Sequence, residues 1–341
     1  MDLLRKLTQT PGTPGQERRI RELVKSELEP LVDEIRIDRL GNLIGLKKGN
    51  GGARIMLSAH MDQIGFMVSH IDDEGFIRFN PTGGFDPRTL MAQRVVVHGK
   101  EDLPGVMGSK PIHILSDEEK KKPLKISDFF VDLGLPGEKV KELVRVGDPV
   151  TWTGEFEEMG DMYLARAMDD RIGVYIMIEA LRRIKNHDCD IFAVAAVQEE
   201  VGIRGAIASA TEIKPEIGIA LDITIANDTP GAKSYERVTE MGKGVAIKRM
   251  DSYSISSPPL VSHFEEIAER EKIPWQTEIL PRGGTDAAAM WHIPGGAHLI
   301  TLSIPCRYVH STVELVHKDD VEAGIKLLVA YLEEAGNKDY Y

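Results

Sequence analysis

The sequence predicts an α/β fold: a mixed sheet sandwiched by helices, with a small β-barrel-type domain inserted. Three observations point there. Segments 54–59, 191–197, 217–221 and 298–304 read as strands, with 191–197 and 217–221 continuous in apolar residues as in strands buried on both faces. Helical patterns at 170–185, strongly apolar, at 262–272 and at 318–335, amphipathic, alternate with them. Between about Phe66 and Asp161 the texture changes to short strand candidates separated by Gly, Pro and Asp turns, with no long amphipathic helix. A chain of 341 residues is long for one domain and comfortable for two.

In chain order, Leu3, Leu4 and Leu7 recur at helical spacing before the break at Pro11–Gly15. Ile20, Leu23, Val24 and Leu28 mark a second helix, which Pro30 stops. Strands follow at 34–39 and 43–46 around a Gly41-Asn42 turn, and the run at 54–59 ends abruptly in His60-Met61-Asp62. In the insert, strands are expected at 75–79, 94–98 and 149–153, and the charged tract 116–125 as a solvated helix or loop. The helix at 170–185 carries acids at its N-terminal end, where the dipole favours them. Further on, 205–210 suggests a helix, 277–280 a strand, and 285–291 a helix after Arg282-Gly283-Gly284. There is no internal repeat.

The net charge of -12 argues against nucleic acid as a partner, because phosphate binding needs a basic face. The first twenty residues lack the apolar core of a secretory signal, and no stretch approaches membrane-span length. No membrane partner and a cytoplasmic location are therefore expected. Cys189 and Cys306 have neither CxxC spacing nor zinc-knuckle partners, so reduced structural thiols are expected.

Chemistry concentrates in His60, Asp169, Glu200, Asp222 and His310, which lie at or near the ends of apolar strands or open a helix. In open α/β sheets ligands collect beyond the carboxyl ends of strands. A lone histidine is usually a satisfied core residue and a lone carboxylate a helix cap, but five in one geometric class outgrow that explanation. The set suits a bridged pair of divalent metals: one shared carboxylate, and a carboxylate and an imidazole for each ion. Such ions would lie ~3.5–4 Å apart. Four positive charges against Asp169, Glu200 and Asp222 leave a surplus that stabilises a bridging hydroxide. Glu199, beside Glu200, would act as general acid/base, taking the water's proton and delivering it to a leaving amine. Asp62 projects to the same side as His60 and would orient its ring. Mixed N/O ligation suits zinc first, with cobalt or manganese as alternatives.

These residues stand in the segments Ser58-Ala59-His60-Met61-Asp62, Ala167-Met168-Asp169-Asp170-Arg171, Gln198-Glu199-Glu200-Val201-Gly202, Leu221-Asp222, Gly283-Gly284-Thr285-Asp286 and Tyr308-Val309-His310-Ser311. In that order they resemble the tetrahedral (TET-type) di-metal aminopeptidases, a family that includes glutamyl and deblocking aminopeptidases. The resemblance covers nearly the whole chain. It implies a zinc-exopeptidase-like catalytic domain from residues 1–66 and 162–341, and a β-rich dimerisation domain at 67–161. It further implies that His60, Asp169 and Asp222 hold one metal and Asp169, Glu200 and His310 the other. Glu199 would be the acid/base, Asp62 the orienter, Asp170 a helix-terminal carboxylate, and dimers would assemble to a dodecamer acting on short peptides. The chain departs from many relatives at Gln63, where they carry glutamate.

Two other readings of the same residues are a di-metal deacylase of small amides and, since some relatives bear an endoglucanase label, a carbohydrate hydrolase. The latter needs two flanking carboxylates, for which Glu199 and Asp62 could be cast, but leaves the histidines without a role. The turn before Asp286 reads equally as a capped helix start and as a site lining. His70, on what reads as a continuation of the His60 strand, is poorly placed to be a ligand. Arg249, Arg282 and Lys243 could form a basic pocket or be surface cations.

Overall fold

The computed structural model describes residues 2–337 and 340. Helices α1 (Asp2–Gln9) and α2 (Arg18–Leu28) precede strands β1 (Glu34–Ile37), β2 (Leu43–Lys47) and β3 (Arg54–His60). The chain then leaves this sheet at Met61–Ile64 and builds a separate closed barrel from β4 (Gly65–Ile71), β5 (Ile77–Thr82), β6 (Arg94–His98), β7 (Asp102–Ser109), β8 (Phe129–Asp132) and β9 (Pro149–Trp152). His70 therefore lies on a barrel strand, not on a continuation of the His60 strand, because the backbone changes sheets between them.

Two short helices, α3 (Asp117–Lys120) and α4 (Gly137–Leu143), interrupt the barrel. The charged tract supplies α3, opened by a Ser116–Glu119 capping box and without a buried residue, as its composition predicts. Phe66, Phe79, Phe129, Val97 and Trp152 fill the barrel, with the Phe66 and Trp152 rings edge to face at 5.8 Å.

The chain returns to the large sheet through β10 (Glu157–Met159) and β11 (Met162–Ala165). It continues through α5 (Met168–Arg183), β12 (Asp190–Ala196), α6 (Arg204–Ile213), β13 (Ile217–Ile225), β14 (Val245–Met250), α7 (Pro258–Arg270), β15 (Trp275–Ile279), β16 (His298–Arg307), β17 (Glu314–His317) and α8 (Lys318–Glu334). The eleven-stranded sheet runs β1-β2-β12-β3-β13-β16-β17-β11-β10, with β14 joining β16 and β15 joining β14. Its centre, β12-β3-β13-β16, is parallel and buried on both faces, which is why 191–197 and 217–221 read as continuous apolar runs.

The expected mixed α/β fold with a barrel insert is what forms. Differences are local. Helix α7 begins at Pro258, four residues before the expected start, because proline fits the first helical turn. The segment Asp286–His292 is 3-10 rather than α, held short by Ile293, which precedes Pro294 and is extended. Strands β7, β8, β10, β11, β14 and β17 were not anticipated, and β14 carries Lys248 and Arg249.

Candidate active site

Parallel pairing sets the site. Ala196, the end of β12, stands opposite His60, the end of β3, so the segment 198–200 emerges beside the imidazole. Asp222 lies on β13, the other neighbour of β3. Asp169 sits in a non-helical first turn of α5, and His310 in the loop from β16 to β17. All five reach the carboxyl edge of the parallel strands. Non-glycine residues in left-handed backbone gather here: Ala167, Gln198, Ile203, Tyr308 and His310 have φ between +56° and +61°. Such conformations persist where surrounding structure enforces them, often at functional sites.

Asp169 joins two imidazoles. Its Oδ1 lies 3.1 Å from His60 Nε2 and its Oδ2 lies 3.2 Å from His310 Nε2. His310 Nε2 is also 3.4 Å from Glu200 Oε2. Two trios able to hold a cation result, His60–Asp169–Asp222 and Asp169–Glu200–His310, with the donor atoms of each within 4.8 Å of one another. Glu199 completes the cluster, its Oε2 at 3.9 Å from His60 Nε2.

Neighbouring carboxylates fix the geometry. The His60 ring is oriented by Asp62, but mainly through its main chain: Nδ1 is 3.0 Å from the Asp62 carbonyl oxygen and 3.6 Å from Oδ1. The Asp62 carboxylate instead accepts the main-chain N–H groups of Glu199 and Glu200. Asp170 is the helix-terminal carboxylate: Oδ1 accepts the Gly173 N–H at 2.9 Å, and Oδ2 accepts the His60 N–H at 3.1 Å. Glu314, which the sequence reading passed over, accepts the His310 N–H at 2.7 Å and the Asp169 N–H at 3.3 Å. Its only signal was a position four residues after His310 at the start of the unanticipated β17.

Electrostatics follow from burial. Glu199 and Asp222 are raised well above ordinary carboxylate values, first by burial and then by neighbouring carboxylates. Burial also raises Glu200, and pushes Glu314 up to about 8 with help from the Asp169 charge. Burial acts on Asp169 too, yet hydrogen bonds with His310 and His60 hold it below the usual range. For the imidazoles burial disfavours charge, but the carboxylates prevail: His60 is raised well above its ordinary value and His310 to about 12.

A buried carboxylate cluster of this density needs compensating positive charge. Glu200 Oε1 is buried without a hydrogen-bond partner, so one oxygen of a ligand-type carboxylate is left unsatisfied. Oxygen and imidazole donors in two trios sharing one carboxylate match the chemistry of paired divalent cations. A cavity of about 770 Å³ opens onto them.

The remaining candidates are sorted by contacts. Asp286 is buried, accepts the Ser58 hydroxyl at 2.7 Å, and is pushed up to about 6 by burial; Thr285 caps the following helix. Gln63 accepts from the buried Arg166 guanidinium through Oε1. Arg249 pairs with Glu265 at 2.5 Å, and Lys243 is exposed away from the cavity, whereas Arg282 lines it. Lys248, also missed, is fully buried on the cavity wall, 3.1 Å from Glu278 and 3.5 Å from Asp251. Both cysteines are buried and unbridged. Among the described residues no helix is long and apolar enough to cross a membrane.

The sequence model of the family described as M42 glutamyl aminopeptidase matches residues 41–327. A lysyl aminopeptidase from Pyrococcus furiosus is 41% identical over 347 residues, covering 99% of this chain and 98% of that protein. The TET aminopeptidase structure from a marine-sediment Thaumarchaeota archaeon gives a TM-score of 0.96 at 36% identity, covering 99% of this chain and 96% of that one. The TET1 peptidase of Pyrococcus horikoshii, which can assemble into a tetrahedron or a large octahedral shell, gives 0.87 at 35% identity, covering 98% and 99%. Matched along almost its whole length in sequence and in fold, this chain belongs to the M42 glutamyl aminopeptidase family and is an aminopeptidase.

Proposed function

We propose that this aminopeptidase removes N-terminal residues from short peptides with two divalent ions per subunit, zinc foremost and cobalt or manganese as alternatives. His60 and Asp222 would hold one ion, Glu200 and His310 the other, and Asp169 both. The observation that carries this reading is the split of one carboxylate between two imidazoles, Asp169 Oδ1 toward His60 and Oδ2 toward His310. When bound, such ions supply Lewis acidity, polarising a carbonyl and making water a stronger acid.

The chain's own residues do the rest. Glu199 takes the proton of the attacking water at Oε2 and returns it to the amine nitrogen as the C–N bond breaks. Its carboxyl, raised by burial beside Asp222 and Glu200, is suited to holding that proton. Asp62 positions Glu199 through the main chain and His60 through its carbonyl. The same bonds argue against a glycosidase role for Asp62, whose carboxylate is fully buried and occupied by two N–H donors.

Residues 67–161 would form the dimerisation domain of this cytoplasmic enzyme, inserted in a catalytic domain of 1–66 and 162–341. Ile112 and Ile114, 63% and 65% exposed on the insert, support a partner surface there. Dimers would assemble to a dodecamer, and light scattering of the purified protein measures that mass.

The test of the activity is hydrolysis of aminoacyl-p-nitroanilides by wild type and Glu199→Gln, after chelation and after zinc or cobalt is restored. Two metals per chain by elemental analysis, activity that follows the metal, and a loss of about 10²–10⁴-fold in the variant are expected. Full activity in the chelated protein would reject the reading.

A further inference from the structure

The cavity that reaches the carboxylates is also walled by apolar side chains: Ile203 and Ile207 of the α6 start, Leu280 after β15, and Ala288 and Trp291 of the 286–292 helix. Its charged lining offers little to a charged substrate side chain. The acidic residues that line it, Asp169, Glu199, Glu200 and Asp222, belong to the candidate metal site, so none is left to pair with a lysine. Lys248 is buried between Glu278 and Asp251 and already neutralised. Arg282 is exposed on the glycine turn, where solvent screens any attraction for a carboxylate.

Within that wall Ile203 is conformationally out of place. Its φ of 58° and ψ of 28° are left-handed, a region that a β-branched residue rarely enters and that glycine or asparagine occupies without difficulty. The side chain is half-buried against the core beneath α6 and faces the cavity. Ile207 lies one turn further on the same face, its N–H bonded to the Ile203 carbonyl at 3.2 Å. A bulky aliphatic group is thus held at the cavity wall where the backbone alone would favour glycine or asparagine.

We propose that Ile203, with Ile207, is a specificity-determining residue that selects peptides with a large apolar N-terminal side chain, such as leucine, over acidic or basic ones. This rests on the aminopeptidase reading above.

The experiment compares kcat/KM for leucine, alanine, glutamate and lysine p-nitroanilides in the cobalt-supplemented protein, for wild type, Ile203→Asn and Ile207→Ala, with thermal midpoints. Wild type should prefer leucine to each of the others by about tenfold or more. Ile203→Asn should lower kcat/KM for leucine by about tenfold while alanine changes by less than about twofold. Its thermal midpoint should hold, since asparagine tolerates the left-handed backbone. Should that variant fail to fold, Ile207→Ala carries the same comparison. Glutamate or lysine preferred by wild type, or leucine and alanine lowered equally in a folded variant, overturns the proposal while leaving an aminopeptidase. No hydrolysis of any of the four overturns the aminopeptidase reading and the selectivity with it.

Discussion

Asp62 commands Glu199 through the peptide backbone: Asp62 Oδ1 accepts the Glu199 N–H at 3.0 Å, and Oδ2 accepts the Glu200 N–H at 3.2 Å. One buried carboxylate thereby positions the proposed acid/base and a proposed ligand together, while its carbonyl orients His60. Asp62→Asn keeps the volume but turns one acceptor into a donor facing an N–H. We expect kcat/KM to fall about 10–100-fold. Steady-state kinetics with metal analysis checks this, and unchanged kinetics would show that the paired bonds do not position the site.

Gly173 lies where a side chain cannot. A Cβ there would stand 2.4 Å from Asp170 Oδ1 and 2.7 Å from the Leu221 carbonyl. Gly173→Ala should displace the Asp170 carboxylate that caps α5 and holds the His60 N–H. The expected loss is about 2–4 kcal/mol, from overpacking and a lost cap. Denaturant unfolding measures it.

Gln63 supplies a neutral partner to a buried cation. Arg166 is pushed down to about 10 by burial, and it donates to Gln63 Oε1 and to the Gln9 carbonyl. Gln63 Nε2 is meanwhile buried without a partner. Gln63→Glu replaces that donor with an acceptor and adds the missing charge, so stability should rise by about 1–3 kcal/mol. A lowered thermal midpoint would contradict this.

Glu17 gives a pH signature away from the metal-binding trios. Burial, then the Asp62 charge, pushes its carboxyl up to about 7 from an ordinary 4.5. The folded chain binds its proton more tightly than the unfolded chain. The stabilisation is therefore complete below pH 4.5, shrinks as pH rises and is gone above about 7. Glu17→Gln retains an oxygen for the Gly15 N–H but does not titrate. Relative to wild type it should gain up to about 3 kcal/mol between pH 4.5 and 8, as unfolding at both pH values will show. A pH-independent difference would refute the assignment.

Much of this was legible before folding. The doubly buried strands announce themselves because both faces must be apolar, and the polar residues that close them mark the site edge. His60, Glu199, Glu200 and Asp222 could be picked out for that reason. Glu314 and Lys248 could not: each sits on a short strand without a distinctive pattern, and only sheet pairing shows that it reaches the cluster or the cavity.

Chain order alone supplies the donor chemistry, the family and the two textures of sheet and barrel, because side-chain type and apolar period are local properties. Which atoms meet is not local. That Asp169 divides its two oxygens between His60 and His310, that Asp62 works through N–H groups 137 and 138 residues away, and that Ile203 faces the cavity from a left-handed backbone depend on strand register and loop conformation. Those are decided by packing the whole sheet, where a shift of one residue would turn each side chain to the opposite face.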